Sequence, residues 1–452
     1  MKDKGPKHRL RPAARSLPQA LRQFLTPEVL KQAHQAYRPR KSPDRWLPQP
    51  LVLALLVLTW CTGDSLPERF ETARAFTVAL LPKRRRPGKT CAGFHKALAR
   101  LPLAVLRAVA RGVRARLTAL FDLASDGFVV LGCDGSRLEC PRSAELEKHL
   151  GWVGKPGSAP TLWVTALVHL RTGLLWAWRL GKPTASEREH LTRLLITLPA
   201  GALVVADAGF NGYELARAIL RAGASFLVRA SGKDSFYVEG AVPGQDFTEG
   251  EVLLWPEPAR HKRLPPLRCR LIRIRAKDKR DVWLLTDVLD GGRLPRENAE
   301  RYYRWRWENE GLFRTYKRTL AKVKLQSRTV RLVHREAEGS LLATQLLLAQ
   351  GVLALGDGAA SDQPVRCSAR KVLLGVRQGI KETIQGGLGR RARVQYAQRL
   401  QQAQREQRHR RTPKQKREWP RRVAHKPLKP PKFLTLTARQ KALLAKLQRS
   451  LE

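Results

Sequence analysis

The chain has 452 residues, with 86 Lys and Arg against 38 Asp and Glu and a formal net charge of +48. That length supports two to four domains and at least one sizeable core, and a field of that sign attracts polyanions, since Lys/Arg neutralisation of phosphate is the sequence-independent part of nucleic-acid affinity. An anionic membrane surface is the competing partner. No basic amphipathic helix, lipidation signal or secretion signal accompanies the charge, and the longest apolar run, 51–60, falls short of the roughly 20 residues a span requires.

Residues 1 to 120 read as a helical N-terminal region. Apolar residues recur at three- and four-residue spacing over 17–24, 27–37, 50–60, 66–80, 90–100 and 103–121, interrupted by Pro, Gly or charge. Basic runs at 38–41 and 83–89 suit phosphate contacts, with an ordinary solvated surface as the alternative. Gly88-Lys89-Thr90 suggests a phosphate loop, but Lys83 stands where that motif needs Gly.

The pattern changes at Gly127. A β-rich run at 128–133 is followed by 161–170 and 174–180 around a tight turn, a three-strand meander. Ser186 caps a helix to 198 with Glu187 and Glu189 in its first turn. A strand at 202–206, a helix at 212–222 and a strand at 225–229 follow. The order β-β-β-α-β-α-β is that of the ribonuclease H-like α/β fold, whose first and fourth strands lie side by side, although many α/β chains share such an order. Residues 231–281 break the alternation and read as a β-rich insertion, with strands at 235–238, 251–254 and 269–275. A buried strand at 281–287 and one long helix from 295 to 320 resume the core, and another apolar helix spans 341–355. Between 390 and 432 there are 16 Lys/Arg and 2 acidic residues, a composition expected to be partly disordered when free.

These elements divide the chain into a helical N-terminal region (1–120), an α/β core in two parts (121–230 and 282–345) around the insertion (231–281), and a C-terminal helix with a basic tail (346–452). The six cysteines, Cys61, Cys91, Cys133, Cys140, Cys269 and Cys367, form no C-x-x-C pair and no zinc spacing. They read as reduced thiols of a cytoplasmic protein.

Asp134 ends one apolar strand and Asp207 another. An acid there is costly unless it meets a cation or a full set of hydrogen bonds, and two facing carboxylates repel unless a divalent ion lies between them. Asp-Gly and Asp-Ala-Gly are also plain turn formers. At about 100° per residue, Tyr303, Arg306, Glu310 and Lys317 fall on one helix stripe with Arg314 beside it. Tyr302, Trp305, Leu312, Phe313, Tyr316 and Leu320 form the apolar stripe a quarter turn away. Glu310 could complete a metal site there, or simply pair with Arg residues on a solvated face. His190 reads as a surface residue, and Trp152, Trp163, Trp176 and Trp178 as core.

The spacing Tyr303-x2-Arg306-x3-Glu310-x6-Lys317, after two strand-end aspartates, resembles the Y-R-E-K signature of bacterial DDE insertion-sequence transposases of the insertion-sequence-four family. The flanking 303–310 residues, the Asp134-Gly135 and Asp207-Ala208-Gly209-Phe210 segments and the β-rich insertion are also similar, over roughly residues 50 to 350. Asn309 departs from the family, which carries an aliphatic residue there. The resemblance implies that Asp134, Asp207 and Glu310 are the catalytic, metal-binding triad. Tyr303, Arg306 and Lys317, with Arg314 nearby, would contact DNA. The expected cofactor is a pair of Mg²⁺ ions, with Mn²⁺ as substitute. The expected partners are double-stranded DNA (terminal inverted repeats and target) and a second copy in a paired-end complex, on the nucleoid and not at a membrane. A non-transposing nuclease of the same fold and a catalytically inactive DNA-binding derivative are the other readings.

Overall fold

The structure is a computed structural model that describes residues 16–37, 45–81, 87–152, 157–240, 246–276, 279–355, 367–386, 396–402 and 429–449. The basic run 38–41, most of 83–89 and most of 390–432 lie outside the described residues.

Six helices open the chain: α1 (Leu17–Phe24), α2 (Pro27–Gln35), α3 (Pro48–Trp60), α4 (Leu66–Leu80), α5 (Cys91–Arg100) and α6 (Leu103–Leu120). The side chains of Ser16, Thr26, Ser65 and Thr90 accept from backbone N–H groups of α1, α2, α4 and α5. Each satisfies a donor that the first turn otherwise leaves orphaned.

The strands follow in the expected order: β1 (Val129–Glu139), β2 (Thr161–His169), β3 (Leu174–Gly181), β4 (Ala202–Ala206) and β5 (Ser225–Ala230). Helices α7 (Ala144–His149), α8 (Glu187–Leu194) and α9 (Tyr213–Arg221) lie between them. β1 pairs antiparallel with β2 and β2 with β3, whereas β1, β4 and β5 run parallel. The first and fourth strands are therefore neighbours, as expected for a ribonuclease H-like core. β1 is longer than its apolar run suggests. It continues through Asp134 to Glu139 because β2 supplies ladder partners along that whole length.

The β-rich insertion is not a separate subdomain. β6 (Ser235–Val238), β7 (Glu249–Leu254), β8 (Leu267–Ala276) and β9 (Lys279–Thr286), with α10 (Glu257–His261) between β7 and β8, extend the same sheet. The junction is β9, which pairs antiparallel with β5. The outer edge is closed by β10 (Lys432–Thr435), parallel to β6, and followed by α15 (Ala438–Arg449). The end of the basic tail is thus a tenth strand and a helix. Short strands beside charge runs give little local signal, and only the open β6 edge recruits this one.

The single helix expected over 295–320 is broken. α11 (Arg296–Trp305) stops at Arg306, α12 (Glu308–Arg314) restarts, and a π-helical turn covers Thr315–Thr319. Bonds of the i→i−3 type, Asn309 N to Arg306 O and Glu310 N to Trp307 O, both 3.1 Å, tighten the junction.

α13 (Val330–Leu355), extended well beyond the expected 341–355, is long and apolar enough to cross a membrane by length and composition, yet 89% of its apolar window is buried inside the protein. It is the core against which α3, α5, α6, β3 and α14 (Ala369–Ile384) pack. Trp60 Nε1 donates to Ala343 O at 3.1 Å, and Gln345 Nε2 donates to Leu175 O at 2.9 Å. The N-terminal helices therefore share one hydrophobic core with this face of the sheet. A second core, with Val130, Leu203, Val205, Tyr302 and Trp305, fills the opposite face beneath α11.

Candidate functional site at the β1–β4 strand pair

β1 and β4 are in register with Val130 opposite Leu203 and Gly132 opposite Val205. Continuing that register sets Asp134 beside Asp207, and alternation turns both toward the α11–α12 face. Each aspartate engages its own turn: Gly135 N donates to Asp134 Oδ1 and Gly209 N to Asp207 Oδ1, both at 2.8 Å. The turn-forming and chemical readings are therefore compatible, because each capping bond uses a single carboxylate oxygen.

The sequence predicts a carboxylate on the 303–317 stripe next to this pair. α12 crosses β1 with Asn309 fully buried and exposes Glu310 in its first turn. Burial raises the Asp134 pKa above the usual carboxylate range. The Gly135 N–H and the Arg306 guanidinium oppose that shift, and the Asp207 and Glu310 carboxylates add to it. Asp207, Glu310 and Arg306 are thus each within electrostatic reach of Asp134.

The basic residues of the stripe divide. Arg306 stacks its guanidinium over the rings of Tyr303 and Trp307, 5.4 and 5.5 Å from their centroids. Lys317 Nζ donates to Ser136 Oγ at 2.7 Å, anchoring the π turn to β1 two residues beyond Asp134. Burial, then the nearby Arg137, lowers the Lys317 pKa. Arg314 is exposed, and among the described residues no hydrogen bond or ion pair engages it.

Sequence reasoning missed a fourth acid. Glu187, seen only as a first-turn residue of α8, reaches over Gly135, where a Cβ would overlap its carboxylate and lie 2.9 Å from Trp163 Nε1. Burial raises the Glu187 pKa, Asp134 and Asp207 raise it further, and a hydrogen bond from the Trp163 indole opposes the shift. The neighbouring Arg188 Nε donates to Gly209 O at 2.7 Å, tying α8 to the turn that follows Asp207. Only the packing of a carboxylate directly over Gly135 could have exposed this placement, and no local spacing encodes it.

Two further expectations are corrected. His190 is buried, not on the surface, with Nδ1 2.9 Å from Thr165 Oγ1 and its ring over Gly181. Trp152 is 48% exposed and not core, whereas Trp176 is buried.

Buried polar atoms without a partner among the described residues concentrate here: Tyr303 Oη, Arg306 Nε and both amide atoms of Asn309. Such atoms carry a desolvation cost that a ligand or water can relieve. Among the described residues no three acidic, Cys or His side chains stand close enough to chelate an ion as they lie. The donor set is nevertheless all carboxylate oxygen, the chemistry of a hard divalent cation, and like-charge repulsion opposes closer approach without counter-charge.

The fold and site define a mixed α/β protein whose central parallel strands present paired carboxylates beside a basic, aromatic helix break. Residues 129–346 match the family model described as transposase DDE domain. That segment is thus similar to a transposase DDE domain, and the chain is an enzyme that acts on DNA. No curated protein shows significant similarity to it. Among solved structures, the chain resembles the cryo-EM structure of the piggyBac transposase synaptic complex with hairpin DNA, at 10% sequence identity, with 84% of each chain covered and a TM-score of 0.44.

Proposed function

We propose that the chain is a transposase of the insertion-sequence-four type, which cleaves DNA at the ends of its element and joins the freed 3′-hydroxyl to target DNA. The observation that carries this reading is the in-register β1–β4 pair bearing Asp134 and Asp207, with Glu310 of α12 on the same face, inside the segment matched to a DDE domain.

Asp134, Asp207 and Glu310 would hold two Mg²⁺ ions, or Mn²⁺ in their place. When bound, such ions activate the attacking oxygen and stabilise the leaving one. In the first step a water oxygen bonds to the phosphorus at the element boundary, and the bond from phosphorus to the 3′ oxygen breaks. In the second, that 3′ oxygen attacks a target phosphodiester and displaces the target's own 3′ oxygen. Lys317 and Arg306, with Arg314 and Tyr303, would hold the phosphates that run past the carboxylates, Arg306 being set in plane by its two flanking rings. A second copy would hold the other element end, and the reaction would take place on the nucleoid.

The test is a cleavage assay with Mg²⁺ and a duplex carrying the DNA that flanks the gene. Nicking at the repeat boundary, abolished in Asp207→Ala and Glu310→Gln, supports the reading. Nicking without end preference makes the chain a plain nuclease, and binding without nicking makes it a DNA-binding derivative. Unchanged cleavage in Glu310→Gln removes the triad assignment altogether.

A further inference from the structure

Alternation along β1 gives its two faces different neighbours. Val130 and Gly132 lie under α11 and α12, whereas Leu131 and Cys133 share a core with Leu191 and Leu194 of α8. Gly135 belongs to the α8 face, and it is the point where a side chain is missing. Any Cβ there would occupy the place of Glu187 Oε1. The glycine is thus a passage through which a carboxylate on one face of the sheet approaches the acids on the other.

Three observations converge on that passage. Glu187 is within electrostatic reach of both Asp134 and Asp207. It is only half-buried and makes no ion pair among the described residues, in a chain with more than twice as many basic as acidic residues. The Trp163 indole N–H hydrogen-bonds the Glu187 carboxylate and holds it against Gly135. A carboxylate set next to two others, and away from abundant Arg and Lys, is electrostatically unfavourable by itself. Arg188 fixes the same helical turn to Gly209, so the helix that carries Glu187 is held to the turn that follows Asp207.

We infer that Glu187 is a fourth carboxylate of the cation site, delivered by α8 through the gap at Gly135 from the face opposite Glu310. This rests on the reading of Asp134, Asp207 and Glu310 as cation ligands. Four carboxylates from two faces enclose a pair of divalent ions more completely than three from one, and they match the oxygen-rich coordination such ions require.

Glu187→Gln keeps the shape and removes the charge. Mn²⁺ titration of the full chain, followed by the paramagnetic resonance signal of the free ion, should show at least a tenfold weaker dissociation constant in this variant. Without added Mn²⁺ its melting temperature should rise by a few degrees, because one of four mutually repelling charges is gone. The stabilisation on adding Mn²⁺ should shrink. A residue that merely packs α8 would lower the melting temperature and leave Mn²⁺ affinity alone. Glu187→Asp, too short to cross Gly135, should also bind Mn²⁺ more weakly although its charge remains. If Asp134→Asn loses Mn²⁺ and Glu187→Gln binds it like the parent, the fourth-ligand role is overturned and the triad stands. If neither variant changes Mn²⁺ binding, the cation site itself is misplaced.

Discussion

Asn309 lies with both amide atoms against Gly132, so that a Cβ on the glycine would be 2.7 Å from Nδ2 and 3.0 Å from Oδ1. The contact sets the depth at which α12 crosses β1, and with it the position of Glu310, one residue on. It also leaves a fully buried amide without a hydrogen-bond partner. Asn309→Leu should therefore raise stability by about 1–2 kcal/mol in urea unfolding, since removing an unsatisfied buried amide recovers its desolvation cost. A loss of stability would mean that the amide is satisfied by bound water. Gly132→Ala should act in the opposite sense, costing about 1–3 kcal/mol by overpacking, and should lower DNA cleavage more than DNA binding.

Lys317 is held to Ser136 on the strand that carries Asp134. In the proposed reaction a cation fixed in that place would meet phosphate beside the carboxylates. Lys317→Met should weaken binding of element ends and of unrelated duplex alike, and reduce the slope of log K against log salt by about one. Fluorescence anisotropy across a salt series measures it. An unchanged slope would make the residue a structural link between the π turn and β1.

Arg306 sits between the rings of Tyr303 and Trp307. A planar guanidinium keeps both stacking contacts and its fork of donors, and an ammonium keeps neither. Arg306→Lys should therefore reduce cleavage at least tenfold despite the conserved charge. Single-turnover kinetics with saturating duplex would read this, and activity close to the parent would argue that charge alone matters.

His169 is fully buried, with Nε2 2.8 Å from Leu123 O and Nδ1 2.7 Å from Thr172 Oγ1. A carbonyl only accepts, so Nε2 carries the proton and Nδ1 accepts from the threonine. Burial pushes its pKa down to about 4. The folded state thus binds this proton less readily than the unfolded chain, whose His titrates near 6.5. The stability that comes from keeping the ring neutral is complete above pH 6.5 and is lost as pH falls from there toward 4. Between pH 7 and pH 5 the loss should be about 2 kcal/mol. His169→Gln should flatten that segment of the urea-unfolding profile, and an unaltered profile would assign the acid sensitivity elsewhere.

Phe433 of β10 closes an aromatic cluster with Phe247 and Trp283, at centroid distances of 5.3 and 6.0 Å. Truncation after residue 428 should strip this cover and open the β6 edge, so the shortened chain should aggregate on concentration. Light scattering would show it, and a monodisperse truncated protein would mean that the sheet edge is protected without the tail.

The residues themselves determined the strands. Alternation and β-branched runs located β4 and β6 to the residue, and the gaps from Tyr303 to Lys317 are what set Glu310 apart from the other acids in the proposed site. Those signals are local, within one strand or one short helical stretch. Tertiary structure decided the rest. The π turn, the burial of His190, the return of β10 to an open edge and the passage of Glu187 over Gly135 each depend on a partner far away in the chain. Pairing free energy between distant segments leaves no periodicity in either one, and a glycine marks a gap only once the neighbour that fills it has been folded into place.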